Sequence, residues 1–195
     1  MKWLLLIPSL AFAITIPEEP KYTGEPERVR QQFLDLFESS KKVNAPDGKK
    51  EARARIESAL DWETVSLNCL GKKEWAKAGG KNRLEFQNTL KEVILRTAYG
   101  RLDKFWEGAT PRFEKIEIKG SDGHIACRFY FPTEVFSIDY YVLKKGDRWL
   151  IYDLAYEDIR YSVNIHDQLE AFLKEKKMSD LLEKLRKRRD ELAKG

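Results

Sequence analysis

The sequence predicts an α+β fold: helices first, then an antiparallel four-stranded meander, then two closing helices. Three observations carry that expectation. Apolar residues recur every three or four positions through residues 25–106, the period of helices with one buried face. From Arg112 to Tyr156 the period changes to two, the mark of strands. The breaks between those alternating runs hold two or three turn-forming residues, enough to join antiparallel neighbours but too few for a crossover. With 195 residues, 42% of them hydrophobic and 12% aromatic, the chain can bury one proper core. The expected organisation is a signal peptide over 1–13, a linker over 14–24 and a single domain over 25–195. Within that domain the helical part occupies 25–108, the sheet 109–160 and the C-terminal helices 161–195.

Each element has a local cause. The opening MKWLLLIPSLAFA combines Lys2, an apolar run from Trp3 to Leu10 and the small-x-small end Ala11, Phe12, Ala13. That pattern reads as a secretory signal cleaved before Ile14, the alternative being an uncleaved hydrophobic N-terminus. Pro17, Pro20 and Gly24 among charges give the next stretch linker composition, extended or loose. Over 25–42, Val29, Phe33, Leu36 and Phe37 share one helical face, and Pro26 falls in the first turn, where its missing N–H costs nothing. After a break at Asn44, Pro46, Asp47 and Gly48, a second helix over 49–60 carries Ala52, Ile56, Ala59 and Leu60. Asp61 is placed to cap a third over 62–70, which Gly71 ends. A short helix around 74–77 stops at Gly79 and Gly80. Asn82 followed by Glu85 resembles a capping box and starts the longest helix, running to about Trp106. Its apolar stripe, including Phe86, Leu90, Ile94 and Leu102, is wider than one neighbouring helix needs.

Strands are expected over 113–119, 124–131, 135–144 and 149–156, with turns at Ser121-Asp122-Gly123, Pro132-Thr133 and Lys145-Gly146-Asp147. The closing helices, 162–176 and 179–193, each begin beside a serine suited to capping.

Charge and rare residues exclude several functions. No run after the N-terminus approaches the roughly 20 apolar residues of a membrane-spanning helix. Residues 174–195 hold nine Lys and Arg against five Asp and Glu, so the formal net charge of +4 resides there. That basic helix is either a solvated mixed-charge face or a surface for transient contact with anionic headgroups or an acidic partner. The signal peptide argues against nucleic acid. Cys69 and Cys127 are too far apart for a CxxC site; in an oxidising compartment they either pair or stay as two small buried hydrophobes. His124 and His166 lack carboxylate clusters at ligand spacing, so no metal is expected. The chain carries no glycine-rich phosphate loop, no GxSxG and no HExxH. Asp139 and Asp153, set in apolar strands, are either unusual carboxylates or hydrogen-bond partners of backbone, Arg128 or Tyr141.

The strands mainly offer apolar and aromatic surface. Phe129, Phe131, Phe136, Ile138, Tyr140 and Val142 share one alternation. In the last strand both alternations are apolar, with Trp149 and Ile151 on one and Leu150, Tyr152 and Leu154 on the other, so it must be covered on both faces.

Three segments resemble one known family. WLIYDLAYEDIRYSVNIHDQLEAF, through Trp149, Tyr152, Asp153, Glu157, Ser162, Asn164 and Gln168, is similar to the closing motif of the MlaC-type phospholipid-binding proteins, also called toluene-tolerance auxiliary proteins. LDWETVSLNCLGKKEW matches a second segment through Asp61, Leu70, Gly71 and Trp75, and RLEFQNTLKEVILRTAYGRL a third through Phe86, Leu90, Arg96, Thr97 and Tyr99. Together they span roughly residues 50–185. Two positions depart: Asp158 stands where the family often has glycine, and Ile165 where it often has an aromatic.

The resemblance implies a curved sheet of the nuclear-transport-factor-like kind beside a helical subdomain. It also implies a soluble periplasmic carrier, with phospholipid as cargo and no cofactor. Its partners would be the inner-membrane ABC transporter complex and the outer-membrane lipoprotein complex of the Mla type. Phe86, Leu90, Ile94 and Tyr99 of the long helix are then expected to face Phe129, Ile138, Tyr140, Ile151 and Leu154 of the sheet across the acyl chains. Ile151 and Leu154 lie on opposite alternations, so one strand face at most is expected to line the cavity. Two other functions compete: a non-catalytic envelope adaptor with a filled core, and an enzyme using Asp139 or Asp153.

Overall fold

The computed structural model describes residues 14–194, so the expected signal peptide lies outside the described residues. Helices fill the first half: α1 (Glu25–Ser40), α2 (Lys49–Ser58), α3 (Trp62–Leu70), α4 (Lys72–Tyr99) and the single turn α5 (Leu102–Phe105). Then come β1 (Thr110–Lys119), β2 (Asp122–Tyr130), β3 (Val135–Lys145), β4 (Arg148–Tyr156) and the two-residue β5 (Ile159–Arg160), before α6 (Tyr161–Glu175) and α7 (Met178–Leu192). The sheet is an antiparallel meander in the order β1-β2-β3-β4-β5. The α+β expectation holds, and its four strands gain a fifth at the acidic corner. There Glu157 and Asp158 both take left-handed backbone, with φ of 46° and 66°, which closes a two-residue hairpin. Such a φ is what glycine accepts without strain, a physical reason for glycine at the position Asp158 occupies.

Helix boundaries differ where a local signal is overridden. Gly79 leaves helical geometry at φ 70°, ψ 161°, yet the chain resumes its helix at once. The expected break between two helices therefore falls at Gly79 within α4, but Asn82 lies inside the second segment rather than capping it, and that segment ends at Tyr99. The serines expected to cap the closing helices do not. Arg160 and Lys177 hold those positions, and the Lys177 N–H donates to Asp180 Oδ2 at 3.0 Å. Residues 14–24 form no regular element but are tied to the edge strand β1. Tyr22 Oη donates to Phe113 O at 2.9 Å, and Glu19 Oε1 accepts from Phe113 N at 3.0 Å.

Two bulges give the sheet its bend. In β1 the extra residue is Glu114, in β4 it is Tyr152. Val142 pairs with Ile151 and Tyr140 with Leu154, so the bulge brings Ile151 and Leu154 to the same face although they are three apart. The expectation that they occupy opposite faces is corrected by that one inserted residue. The β1 bulge does the same for Phe113 and Ile116, both buried.

The interior consists of two apolar clusters. α1 covers the sheet, with Val29, Phe33 and Phe37 against Phe129, Ile138 and Ile151. α2, α3, α4 and α7 build the second around Phe86, Leu70, Leu90 and Leu181, with side chains of α6 packed against it. Leu60 and Leu102 touch both. Polar clamps join the halves. Ile151 exchanges backbone hydrogen bonds with the α2–α3 connection, donating to Ala59 O and accepting from Asp61 N, both at 2.8 Å. Gln32 grips the Trp149 backbone, its Nε2 donating to the carbonyl at 2.5 Å and its Oε1 accepting from the N–H at 3.3 Å. Cys69 and Cys127 are free, buried and in different clusters. Burial pushes the Cys69 thiol up to about 12 and the Cys127 thiol higher still.

Candidate functional site

The nine residues expected to line an acyl cavity fall into two groups. Phe129, Ile138 and Ile151 are buried in the sheet cluster, with Tyr140 and Leu154 partly buried against it. Phe86, Leu90 and Tyr99 are buried in the helical cluster, with Ile94 partly buried against it. Each group is brought together internally, but the two do not pack on one another. The wide stripe of α4 is used by α3 on one side and α7 on the other, through Trp62, Val65, Leu181 and Leu182. The sheet group is covered instead by α1 and by Trp106.

That cover is aromatic and runs from interior to surface. The Phe33 and Tyr140 rings meet edge to face at 5.0 Å, Phe37 and Trp106 at 5.4 Å, and Trp106 lies 4.4 Å from Phe129. Outward, Phe136 is 4.8 Å from Phe131, 5.3 Å from Phe105 and 5.6 Å from Tyr156. Phe105 and Tyr156 are 41% and 45% exposed, so this end of the sheet carries an aromatic patch that reaches solvent. Phe33 and Phe37, four apart on a helix, were legible as a core face. The part played by Phe105 and Trp106 was not, because their segment read as the end of a long helix.

Clefts of about 250 to 560 Å³ lie at the surface. Of the nine expected residues, Tyr99 alone lines one of them, beside Arg53 and Leu95. Burial pushes its hydroxyl up to about 12, and the Arg53 guanidinium stacks on its ring at 4.5 Å.

The buried carboxylates are spent on architecture. Asp153, 6% exposed, accepts at Oδ1 from Leu154 N (2.9 Å) and Ser162 N (3.1 Å), and at Oδ2 from Ser162 Oγ (2.5 Å) and Arg160 Nε (2.8 Å). Four donors occupy both oxygens, so this group fixes the turn from β4 into α6. Glu157 Oε1 accepts from Ser137 N at 2.6 Å, and Gln168 Nε2 donates to Asn164 Oδ1 at 2.6 Å, completing the same corner. Asp139 lies on the sheet face away from the core, 3.0 Å from His124 Nε2. Asp61 is buried beside Lys145 Nζ and Thr64 Oγ1, each at 2.7 Å. Burial alone would raise its pKa, but those two partners outweigh it and hold the group below the usual carboxylate range. Among the described residues no group of three or more His, Cys, Asp and Glu is placed to hold a metal ion. No helix of the described residues is long and apolar enough to cross a membrane.

Gly71 explains why two separate sequence segments belong together. Its φ is 83°, and a Cβ there would lie 2.5 Å from Cε1 of His166, whose Nδ1 is 3.3 Å from Cys69 O.

A bulged antiparallel meander, helices gathered into a second apolar cluster and buried carboxylates engaged by hydrogen bonds define an α+β fold. The chain belongs to the MlaC protein family, whose model matches residues 27–187. Its backbone is similar to that of the phospholipid-binding protein from Ralstonia solanacearum, solved in complex with a phospholipid. The TM-score is 0.72 at 18% identity, over 88% of this chain and 99% of that one. No curated protein matches the chain significantly.

Proposed function

We propose that this protein is a non-catalytic phospholipid carrier of the periplasm, moving lipid between the inner-membrane ABC transporter complex and the outer-membrane lipoprotein complex of an Mla-type system. Membership of the MlaC family supports the reading, as does the phospholipid held by the Ralstonia protein of similar fold. The N-terminal sequence favours export. The observation that carries the reading is the division of the interior into two apolar clusters joined through Leu60 and Leu102, with the partly exposed aromatic patch of Phe105, Phe131, Phe136 and Tyr156 at one end of the sheet. Loading parts the two clusters beside that patch, so that acyl chains come to lie between the sheet residues Phe129, Ile138, Tyr140, Ile151 and Leu154 and the α4 residues Phe86, Leu90, Ile94 and Tyr99. Hydrocarbon costs about 0.8 kcal/mol per methylene to expose to water, so two chains cost on the order of 20 kcal/mol outside an apolar site. Exchange between bilayer and apolar interior is nearly neutral, which lets a carrier release its cargo. The basic face of α7, whose leucines pack on α4, supplies transient contact with anionic membranes.

Protein purified from a Gram-negative host and extracted into organic solvent is expected to yield about one phospholipid per chain by mass spectrometry. Phe105→Ala with Tyr156→Ala removes two rings that pack on Trp106 and Phe136 from the surface side, so it is expected to cost about 1 to 2 kcal/mol per site with the fold retained by circular dichroism, while cutting the lipid yield severalfold. No lipid from the wild-type chain, or full loading of the double variant, refutes the reading. Ring-on-ring packing over the sheet favours the filled-core adaptor as the second reading, and a wild-type protein devoid of lipid would select it.

A further inference from the structure

We propose that the cleft where the end of α3, the first turns of α4 and one face of α6 meet binds the phosphate group of an anionic ligand, at a site separate from the apolar interior. The cleft encloses about 400 Å³, within the size range of small-molecule sites. Four lysines line it, Lys72, Lys73, Lys77 and Lys174, against two carboxylates. Glu74 pairs with Lys77 at 2.8 Å and Glu170 with Lys174 at 3.1 Å, so each carboxylate is matched by one lysine. Lys72 and Lys73 have no ion pair among the described residues, which leaves two positive charges concentrated in one concavity. Lysine ammonium groups act as point charges towards phosphate, and mobile point charges lining one concavity suit a tetrahedral, multiply charged anion better than a flat carboxylate.

The floor is rigid. Leu70 and Leu173 supply its apolar part, and the His166 ring forms a wall, seated against Gly71 where a Cβ would lie 2.5 Å from it. Nδ1 lies 3.3 Å from the Cys69 carbonyl, a contact that only an N–H at that nitrogen satisfies, and the ring's other edge is the one left to a ligand. Lys174 chiefly, with His166 and Lys73 adding to it, holds the Glu170 carboxyl below its ordinary range, the mark of a positive local potential.

The test is titration of the isotope-labelled protein with inorganic phosphate, against potassium chloride at matched ionic strength. Amide resonances of Gly71, Lys73 and Lys77 and the His166 ring signal are followed by NMR. Saturable shifts confined to these groups are expected. Lys72→Gln with Lys73→Gln, both at exposed positions, is expected to keep the remaining spectrum and weaken binding roughly thirtyfold. Sedimentation with phosphatidylglycerol vesicles but not phosphatidylcholine vesicles that falls in the double variant, below the level sustained by α7, assigns the phosphate to lipid headgroups. Phosphate binding with sedimentation unchanged in the double variant assigns it to a free phosphate-bearing solute. Shifts equal to those in chloride, or unchanged in the double variant, overturn the site. A polyglutamate peptide that displaces phosphate and binds more tightly overturns it in favour of an acidic protein partner. Lipid yield in organic extracts is independent of all these readouts, so failure here and failure of the carrier reading are distinguishable.

Discussion

Glu25 accepts hydrogen bonds from Lys144 Nζ at 2.7 Å and Trp149 Nε1 at 2.8 Å, and these lower its pKa from an ordinary 4.5 to about 2. A carboxylate with a depressed folded-state pKa contributes stability above its unfolded value and loses it as pH falls through the folded one. Glu25→Gln is therefore expected to melt below the wild type at neutral pH, with the gap narrowing below about pH 4.5 and closing near pH 2. A pH series of thermal melts checks this, and a gap constant with pH would refute it. The Glu25 cluster was illegible in the sequence, because its partners lie 119 and 124 positions away. Gly71 was half legible: its helix-ending role is a local signal, while its contact with His166 belongs to the tertiary fold. Asp153 was half legible: a hydrogen-bonded role was one of its two readings, but its partners are Arg160 and Ser162 of the following turn rather than Arg128 or Tyr141 across the sheet.

Among the elements, strands were legible to the extent that period two holds. The sheet breaks that period at Glu114 and Tyr152, and each break puts residues of opposite parity on one face. No composition signal marks either position. The β4 bulge makes an asymmetric prediction. Deleting Tyr152 leaves Ile151 opposite Val142 and Leu154 opposite Tyr140, so the variant is expected to keep a cooperative near-UV melt at a modestly lower temperature. Deleting Leu150 instead turns Trp149 from its buried position to the outer face, a loss on the scale of about 3 to 5 kcal/mol for a buried Trp. That variant is expected to lose the cooperative transition. Equal behaviour of the two deletions would show that the pairing does not govern which face a residue takes. The helices were read well wherever stripe and cap agreed, the break at Gly79 included, and misread at Asn82, which lies inside the second segment of α4 rather than capping it.

At the scale of the whole molecule, helices, meander and closing helices were all legible from period and turn length. The candidate site was legible only in part, since apolar residues at the right spacing say that a side chain is buried and not which cluster buries it. Phe86 and Phe129 looked equally suited to one cavity and sit in different clusters, because α3 and α7 claim the stripe of α4. Which neighbour covers which face is decided by contacts distant along the chain.

The grip of α1 on β4 also has a bearing on the order in which the chain acquires its structure. Gln32 and Trp149 stand 117 positions apart, so the polar grip that completes the seat of α1 on the sheet forms only when the fourth strand exists. A chain emerging N-terminus first must carry the apolar face of Val29, Phe33 and Phe37 uncovered through most of its synthesis. Chains truncated after Asp147 are expected to be cleaved within residues 25–40 by a low dose of protease that spares the full-length protein. Protection of that segment in the truncated chain would show that α1 finds its place without β4.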